Sequence, residues 1–170
     1  MLQSTNLVNL PLTRTETSPS FVRRFFQEVI RLAFRHPVLG TSIVPLLEDG
    51  SIVLIRRRDT GLWALPGGMV AWGEDIATTV RRELKEETGL NLVKIRRLAG
   101  VYSSPERDSR LHSICIAVVA DVRGQLKVQD KLEISEVKAF SPDCLPIPEE
   151  LSYDNAEQLE NYRLGLTVLQ

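Results

Sequence analysis

The sequence predicts an α+β protein, a mixed β-sheet with helices packed on it, and three observations point there. β-rich runs recur through the middle of the chain, an amphipathic helical pattern is inserted between them, and a second helical pattern lies near the end. At 170 residues the chain fits one domain with an appendage, and no internal repeat is present.

Residues 1–19 are polar, with Pro11 and Pro19, and read as a poorly ordered arm. From Ser20 to Arg35 the apolar residues Val22, Phe25, Phe26, Val29, Ile30 and Ala33 recur at helical spacing, and Pro37 stops the pattern. Four of the five phenylalanines fall here, so this amphipathic helix must bury a face against its own domain, a twin subunit or a membrane surface. The expected division is therefore 1–36, arm and amphipathic helix, and 37–170, the main domain. Next come TSIVPLL and SIVLIRR, separated by Glu48-Asp49-Gly50, a hairpin signal that predicts antiparallel pairing. A turn at 59–61 leads through LWALPGG to a helix from about Glu74 to Thr88, capped by Gly89. Leu92 to Tyr102, Leu111 to Val122 and Glu133 to Phe140 read as strands, and Asp154 begins a helix reaching about Leu164.

Composition excludes several classes. Lys and Arg total 21 against 22 for Asp and Glu, so no bulk charge favours a nucleic-acid polymer or a polybasic membrane contact. Cys115 and Cys144 make no disulfide framework or zinc signature, and with only His36 and His112 any metal must be bound by oxygen. No signal-peptide pattern or run of about 18 apolar residues occurs, and the expected address is the cytosol.

The chemistry is concentrated in the helix after the glycine turn. Glu83, Glu86 and Glu87 are offset by three and four residues, so they emerge on one face, while Ala77, Val80 and Leu84 follow core spacing beside them. Like charges so placed destabilise an isolated helix by a few tenths of a kcal/mol per pair, roughly, which a hard divalent cation would offset. Upstream, Leu65-Pro66-Gly67-Gly68 lets backbone carbonyls approach a metal or a phosphate without Cβ obstruction.

Residues 68–90, GMVAWGEDIATTVRRELKEETGL, match the signature of the Nudix hydrolase family at every position: Gly68, five residues, Glu74, seven residues, Arg82-Glu83, Leu84, Lys85, Glu86-Glu87, Thr88, Gly89 and Leu90. The wider resemblance covers about residues 40–165. It implies an α/β/α sandwich and hydrolysis of a nucleoside diphosphate linked to a group X, with Mg²⁺ or Mn²⁺. Diphosphate cleavage needs water in line with phosphorus and neutralised oxygens, which divalent ions supply. By position, the resemblance makes Glu83, Glu86, Glu87 and the Gly67 carbonyl the metal ligands, with Arg82 orienting the acids and Glu74 structural. Catalysis falls to Glu83, Arg82 and Glu87; Glu83 is the first choice of general base, with Glu106, Asp108, Glu133 and Glu136 as alternatives from outside the signature.

Substrate choice lies elsewhere. VYSSPERDSRLHSI resembles the YSDP-x-RDPR-x-H segment of ADP-ribose pyrophosphatase-like members, with Ser104 in place of Asp and Ser109 in place of Pro. On that resemblance Arg107 and Arg110 contact phosphate oxygens and Tyr102 lines the base pocket. Arg56, Arg57 and Arg58 precede the glycine turn, and by alternation two share a face; Arg56 and Arg58 are the candidates for reaching the diphosphate. Trp63 and Trp72 are expected to pack under the turn. The expected partner is a small nucleotide, ADP-ribose first, giving AMP and ribose 5-phosphate. A nucleoside triphosphate pyrophosphohydrolase and a nucleotide-sensing module are the rivals, and a homodimer stays open.

Overall fold

A computed structural model describes residues 36–107 and 112–170. The expected helix over Ser20–Arg35 lies outside the described residues, as do Asp108 and Arg110. In order, the elements are β1 (Val38–Leu46), β2 (Ile52–Arg57), β3 (Trp63–Ala64), α1 (Ile76–Glu83), β4 (Asn91–Tyr102), β5 (Ser113–Arg123), β6 (Ile134–Phe140), α2 (Asn155–Arg163) and β7 (Val168–Leu169). The seven strands form one mixed sheet in the order β3-β2-β1-β5-β4-β7, with β6 paired to β2. The α+β class is as the sequence predicts.

The hairpin forms, but it is short. Leu46 opposes Ile52, and β1 otherwise runs parallel to β5, from Val38 opposite Ser113 to Leu46 opposite Asp121. β1 is buried on both faces over its second half, as a strand flanked by layers must be. Its alternation divides the core. Ile43 packs with Val80, Leu84, Leu90 and Val118 beneath α1. Val44 and Leu46 pack with Tyr102, Val119 and Leu159 beneath α2. The sheet is thus the middle layer of an α/β/α sandwich. Each fully buried Val or Leu contributes roughly 1.5–3 kcal/mol through its burial.

On the N-terminal side of Leu46 β1 parts from β2, and residues 66–69 occupy its edge instead. Thr41 N–H donates to the Gly68 carbonyl at 2.8 Å and Ile43 N–H to the Pro66 carbonyl at 2.9 Å. The glycine turn is therefore held as though it were a strand, and it brings the segment before α1 against the centre of the sheet. No helix among the described residues is long and apolar enough to cross a membrane.

Candidate active site

α1 starts where Asp75 accepts from the Thr78 N–H at 2.7 Å, an N-cap that satisfies one of the first turn's free donors. Val80 and Leu84 are fully buried and anchor it. Its last turn widens to π-helical spacing over Leu84–Thr88 and ends at Gly89, whose φ of 76° is left-handed. Glu83 stands at the junction and Glu86 and Glu87 within the widened turn, all after an anchored stretch that fixes their direction.

Two glycines are sterically required opposite them. A Cβ on Gly67 would lie 2.2 Å from the Thr41 carbonyl oxygen, and one on Gly68 would lie 2.3 Å from Glu83 Oε1. The turn touches β1 with one residue and the acid with the next. Gly67 also donates its N–H to Glu87 Oε2 at 2.8 Å.

The acids differ in setting. Glu87 is 6% exposed, and burial pushes its carboxyl up to about 8 despite the Gly67 bond. Burial also raises Glu83, opposed by the Arg82 guanidinium. Glu86 is open to solvent. Arg82 binds them together: Nη1 donates to Glu83 Oε1 at 2.7 Å and to Glu86 Oε2 at 3.3 Å, and Nη2 to the Met69 carbonyl at 3.1 Å. Its Nε and Nη2 fork onto Glu74 at 2.9 and 3.0 Å, and that bond holds the Glu74 carboxyl down to about 2. Glu74 in turn accepts from Thr79 Oγ1 and the Ala71 N–H, so it ties the turn, the helix and Arg82 into one unit.

This wall forms one side of a cavity of about 790 Å³, which Asp130, Glu133 and Arg57 also line. The residues fit a hard divalent cation: all donors are oxygens, two are desolvated carboxylates, and Gly68 faces Glu83 without a Cβ. Among the described residues no three acids are already closed on one point, because Arg82 and the Gly67 N–H hold them individually. A cation would take over lone pairs those donors now use.

The structure brings Gly67, Arg82, Glu83, Glu86 and Glu87 together on the lining of one cavity. The arginines differ. Arg57, not Arg56 or Arg58, lines the cavity. Arg56 donates to the Gly61 carbonyl at 2.8 Å and lies 5.7 Å over the Trp63 ring, while Arg58 donates to the Lys131 carbonyl at 2.7 Å. The reason is alternation from Val53 and Ile55: Val53 packs beneath α1, so Arg57 continues toward the α1 side. Arg107 lines the cavity, but its Nε and Nη2 fork onto Asp154 at 2.8 and 2.9 Å and Nη1 donates to Ser113 at 2.7 Å. Tyr102 is buried in the core with its hydroxyl accepting from Asn161, and it lines a separate cavity of about 230 Å³ instead of the main one.

Of the alternative bases, Glu133 lines the main cavity, Glu106 the smaller one, and Glu136 pairs with Arg56 on the surface. Of the two tryptophans expected beneath the glycine turn, Trp63 packs edge-on against Phe140 with ring centroids 4.9 Å apart, and Trp72 is fully exposed. Asp130, Asp154 and Gln158 also line the main cavity; the sequence marks Asp154 only as the start of the last helix, and nothing local marks the other two.

Known proteins resemble this chain in sequence and in fold. The chain is 36% identical over 153 residues to the ADP-ribose pyrophosphatase of Methanocaldococcus jannaschii, covering 84% of this chain and 86% of that one. It is 33% identical over 108 residues to a putative 8-oxo-dGTP diphosphatase of Bacillus subtilis, covering 64% and 69%. Its fold matches the NUDIX domain of Shewanella oneidensis NrtR, solved in complex with ADP ribose, with a TM-score of 0.68, 25% identity and coverage of 84% and 97%. Residues 36–162 match the NUDIX domain family itself, and the chain belongs to that family as one of its hydrolases.

Proposed function

We propose that the chain hydrolyses a nucleoside diphosphate linked to a second group, with ADP-ribose as the first substrate: ADP-ribose and water give AMP and ribose 5-phosphate. The observation that carries this is the wall of Glu83, Glu86 and Glu87, desolvated on one side and set against the Gly67–Gly68 turn in a cavity of about 790 Å³. The M. jannaschii relative, similar over most of both chains, favours ADP-ribose.

Glu83, Glu86, Glu87 and the Gly67 carbonyl would hold Mg²⁺ or Mn²⁺, which when bound neutralises diphosphate oxygens and lowers the pKa of a water. Arg82 orients Glu83 and Glu86 from its anchor on Glu74. Arg57 lines the same cavity with its Nε and Nη2 forked onto Asp59 at 2.9 and 2.7 Å, and a phosphate oxygen there would be held in exchange for that fork. The water's proton goes to Glu83 or to Glu133, the loop carboxylate that lines this cavity. Glu133 is not among the proposed metal ligands, so a Glu133→Gln variant that keeps Mn²⁺ binding but loses kcat assigns the base to Glu133, and one that keeps kcat assigns it to Glu83.

A second reading, hydrolysis of a nucleoside triphosphate to the monophosphate and pyrophosphate, is favoured by similarity to the B. subtilis relative. Product analysis over ADP-ribose, dNTPs, NADH and dinucleoside polyphosphates with Mg²⁺ separates the two. Selective formation of AMP from ADP-ribose is expected; equal, feeble turnover of the whole panel contradicts the ADP-ribose assignment. Residues 1–36 are proposed as a separate segment that serves assembly, and the proposed location is the cytosol.

A further inference from the structure

The cavity contains polar atoms that the protein leaves unsatisfied. Gln158 on α2 is 1% exposed, and among the described residues neither its Oε1 nor its Nε2 has a hydrogen-bond partner; the buried Ser42 Oγ is in the same state. Both residues line the main cavity. Their polar neighbours are engaged. Asn155 Oδ1 accepts from the Leu65 N–H at 2.6 Å, and Arg107 is forked onto Asp154. A buried amide without partners loses its hydration with no return, so it persists where something else completes it.

The surroundings restrict what that is. Ser42 shares a face of β1 with Val44 and Leu46, which pack with Leu159 beneath α2, whereas the glutamates belong to the α1 side. The wall near Gln158 carries no uncompensated charge: Ser42, Leu65 and Cys115 are uncharged, the thiol being pushed up to about 11 by burial, and Arg107 and Asp154 beside them neutralise each other in their fork. A carboxamide offers one donor beside one acceptor and carries no charge to neutralise a phosphate. Its complement is an uncharged planar edge with an acceptor next to a donor, such as that of adenine.

We propose that Gln158, assisted by Ser42, is a specificity-determining residue whose carboxamide pairs with the nucleobase edge of the substrate, on the α2 side of the cavity away from the glutamates. This rests on the nucleoside diphosphate reading above, which supplies the base. The diphosphate then lies toward the acids and the base toward α2.

The test compares ADP-ribose with the counterpart carrying unsubstituted purine, which lacks the exocyclic amine, on wild-type protein and on Gln158→Met and Ser42→Ala. Wild type is expected to prefer adenine by about 5- to 150-fold in kcat/KM, the cost of leaving the buried Gln158 carbonyl without the amine donor. Gln158→Met is expected to bring that ratio close to one, mainly through KM, with Tm unchanged or higher because an orphaned amide has been removed. Ser42→Ala moves the ratio less. In wild type, AMP is expected to shift the Gln158 side-chain amide signals in the ¹H–¹⁵N spectrum, and purine riboside monophosphate to shift them far less; this decides the matter even if Gln158→Met does not fold. An unchanged ratio, or amide signals that ignore AMP, means that Gln158 encloses a structural water, and overturns the proposal while leaving the hydrolase reading intact. Gln158-dependent AMP binding without turnover of any diphosphate would instead overturn the function and keep the base contact. Neither binding nor turnover overturns both.

Discussion

Arg82 forks onto both carboxylate oxygens of Glu74, at 2.9 and 3.0 Å, eight residues earlier in the chain. Because the same guanidinium also reaches Glu83 and Glu86, the direction of two candidate metal ligands is set from outside the acid wall. A residue that holds ligands in place acts on affinity and rate, and losing such a contact costs about 10- to 100-fold.

Arg82→Lys keeps the charge and loses the fork. Its kcat is expected to fall by about 10- to 100-fold, with a weaker apparent Mg²⁺ affinity, and Glu74→Gln should act in the same direction. Steady-state kinetics at several Mg²⁺ concentrations check both. Wild-type values in either variant would mean that the acids orient themselves.

Glu87 makes the metal-free protein sensitive to pH. Its carboxyl is raised from 4.5 to about 8 by burial, so the folded chain binds a proton there that the unfolded chain has released. The slope of stability against pH follows protons bound unfolded minus folded, and is negative across this window. The contribution is full below about pH 4.5 and is lost as pH rises through 8, at most about 5 kcal/mol. Denaturation in chelator from pH 5 to 8.5 should show this fall, and Glu87→Gln should flatten it. Metal binding near pH 7 should release about one proton, measurable by calorimetry in buffers of different ionisation enthalpy.

The two glycines should fail differently. At Gly67 an added Cβ meets backbone, so Gly67→Ala is expected to cost about 1–3 kcal/mol of stability. At Gly68 it meets the end of a side chain, so Gly68→Ala should fold nearly as well while displacing Glu83, with kcat down about 100-fold. Thermal melts paired with kinetics distinguish the two, and equal stability losses would contradict the geometry.

The Arg107–Asp154 pair, 12% and 9% exposed, is expected to cost about 3 kcal/mol when Asp154→Asn breaks it. Replacing both by apolar residues of similar volume should recover much of that, as read from a double-mutant cycle in urea. Additive losses would show that the two side chains act independently.

What was legible in the sequence is what local spacing encodes. The acids of α1, the core positions Val80 and Leu84, and the glycine turn are all fixed by neighbours within a few residues. The parallel partner of β1 was not legible, because β5 lies some seventy residues away and parallel pairing leaves no turn signal. Choosing among Arg56, Arg57 and Arg58 required knowing which face of β2 meets α1, and alternation alone gives two equivalent answers. Trp72 and Tyr102 show the same gap in opposite directions, one fully exposed and one buried in the core away from the main cavity. Gln158 on α2 has no local signature; it is noticed only once the helix is docked and its amide is seen without partners.

The most direct measurement is a Mn²⁺ titration followed by electron paramagnetic resonance, on wild type and on Glu83→Gln, Glu86→Gln and Glu87→Gln, with ADP-ribose turnover read on the same samples. Bound Mn²⁺ in wild type, weakened by the glutamine substitutions in step with loss of AMP formation, is the expected result. Glutamine variants that bind Mn²⁺ and release AMP as wild type does would contradict the assignment of these carboxylates.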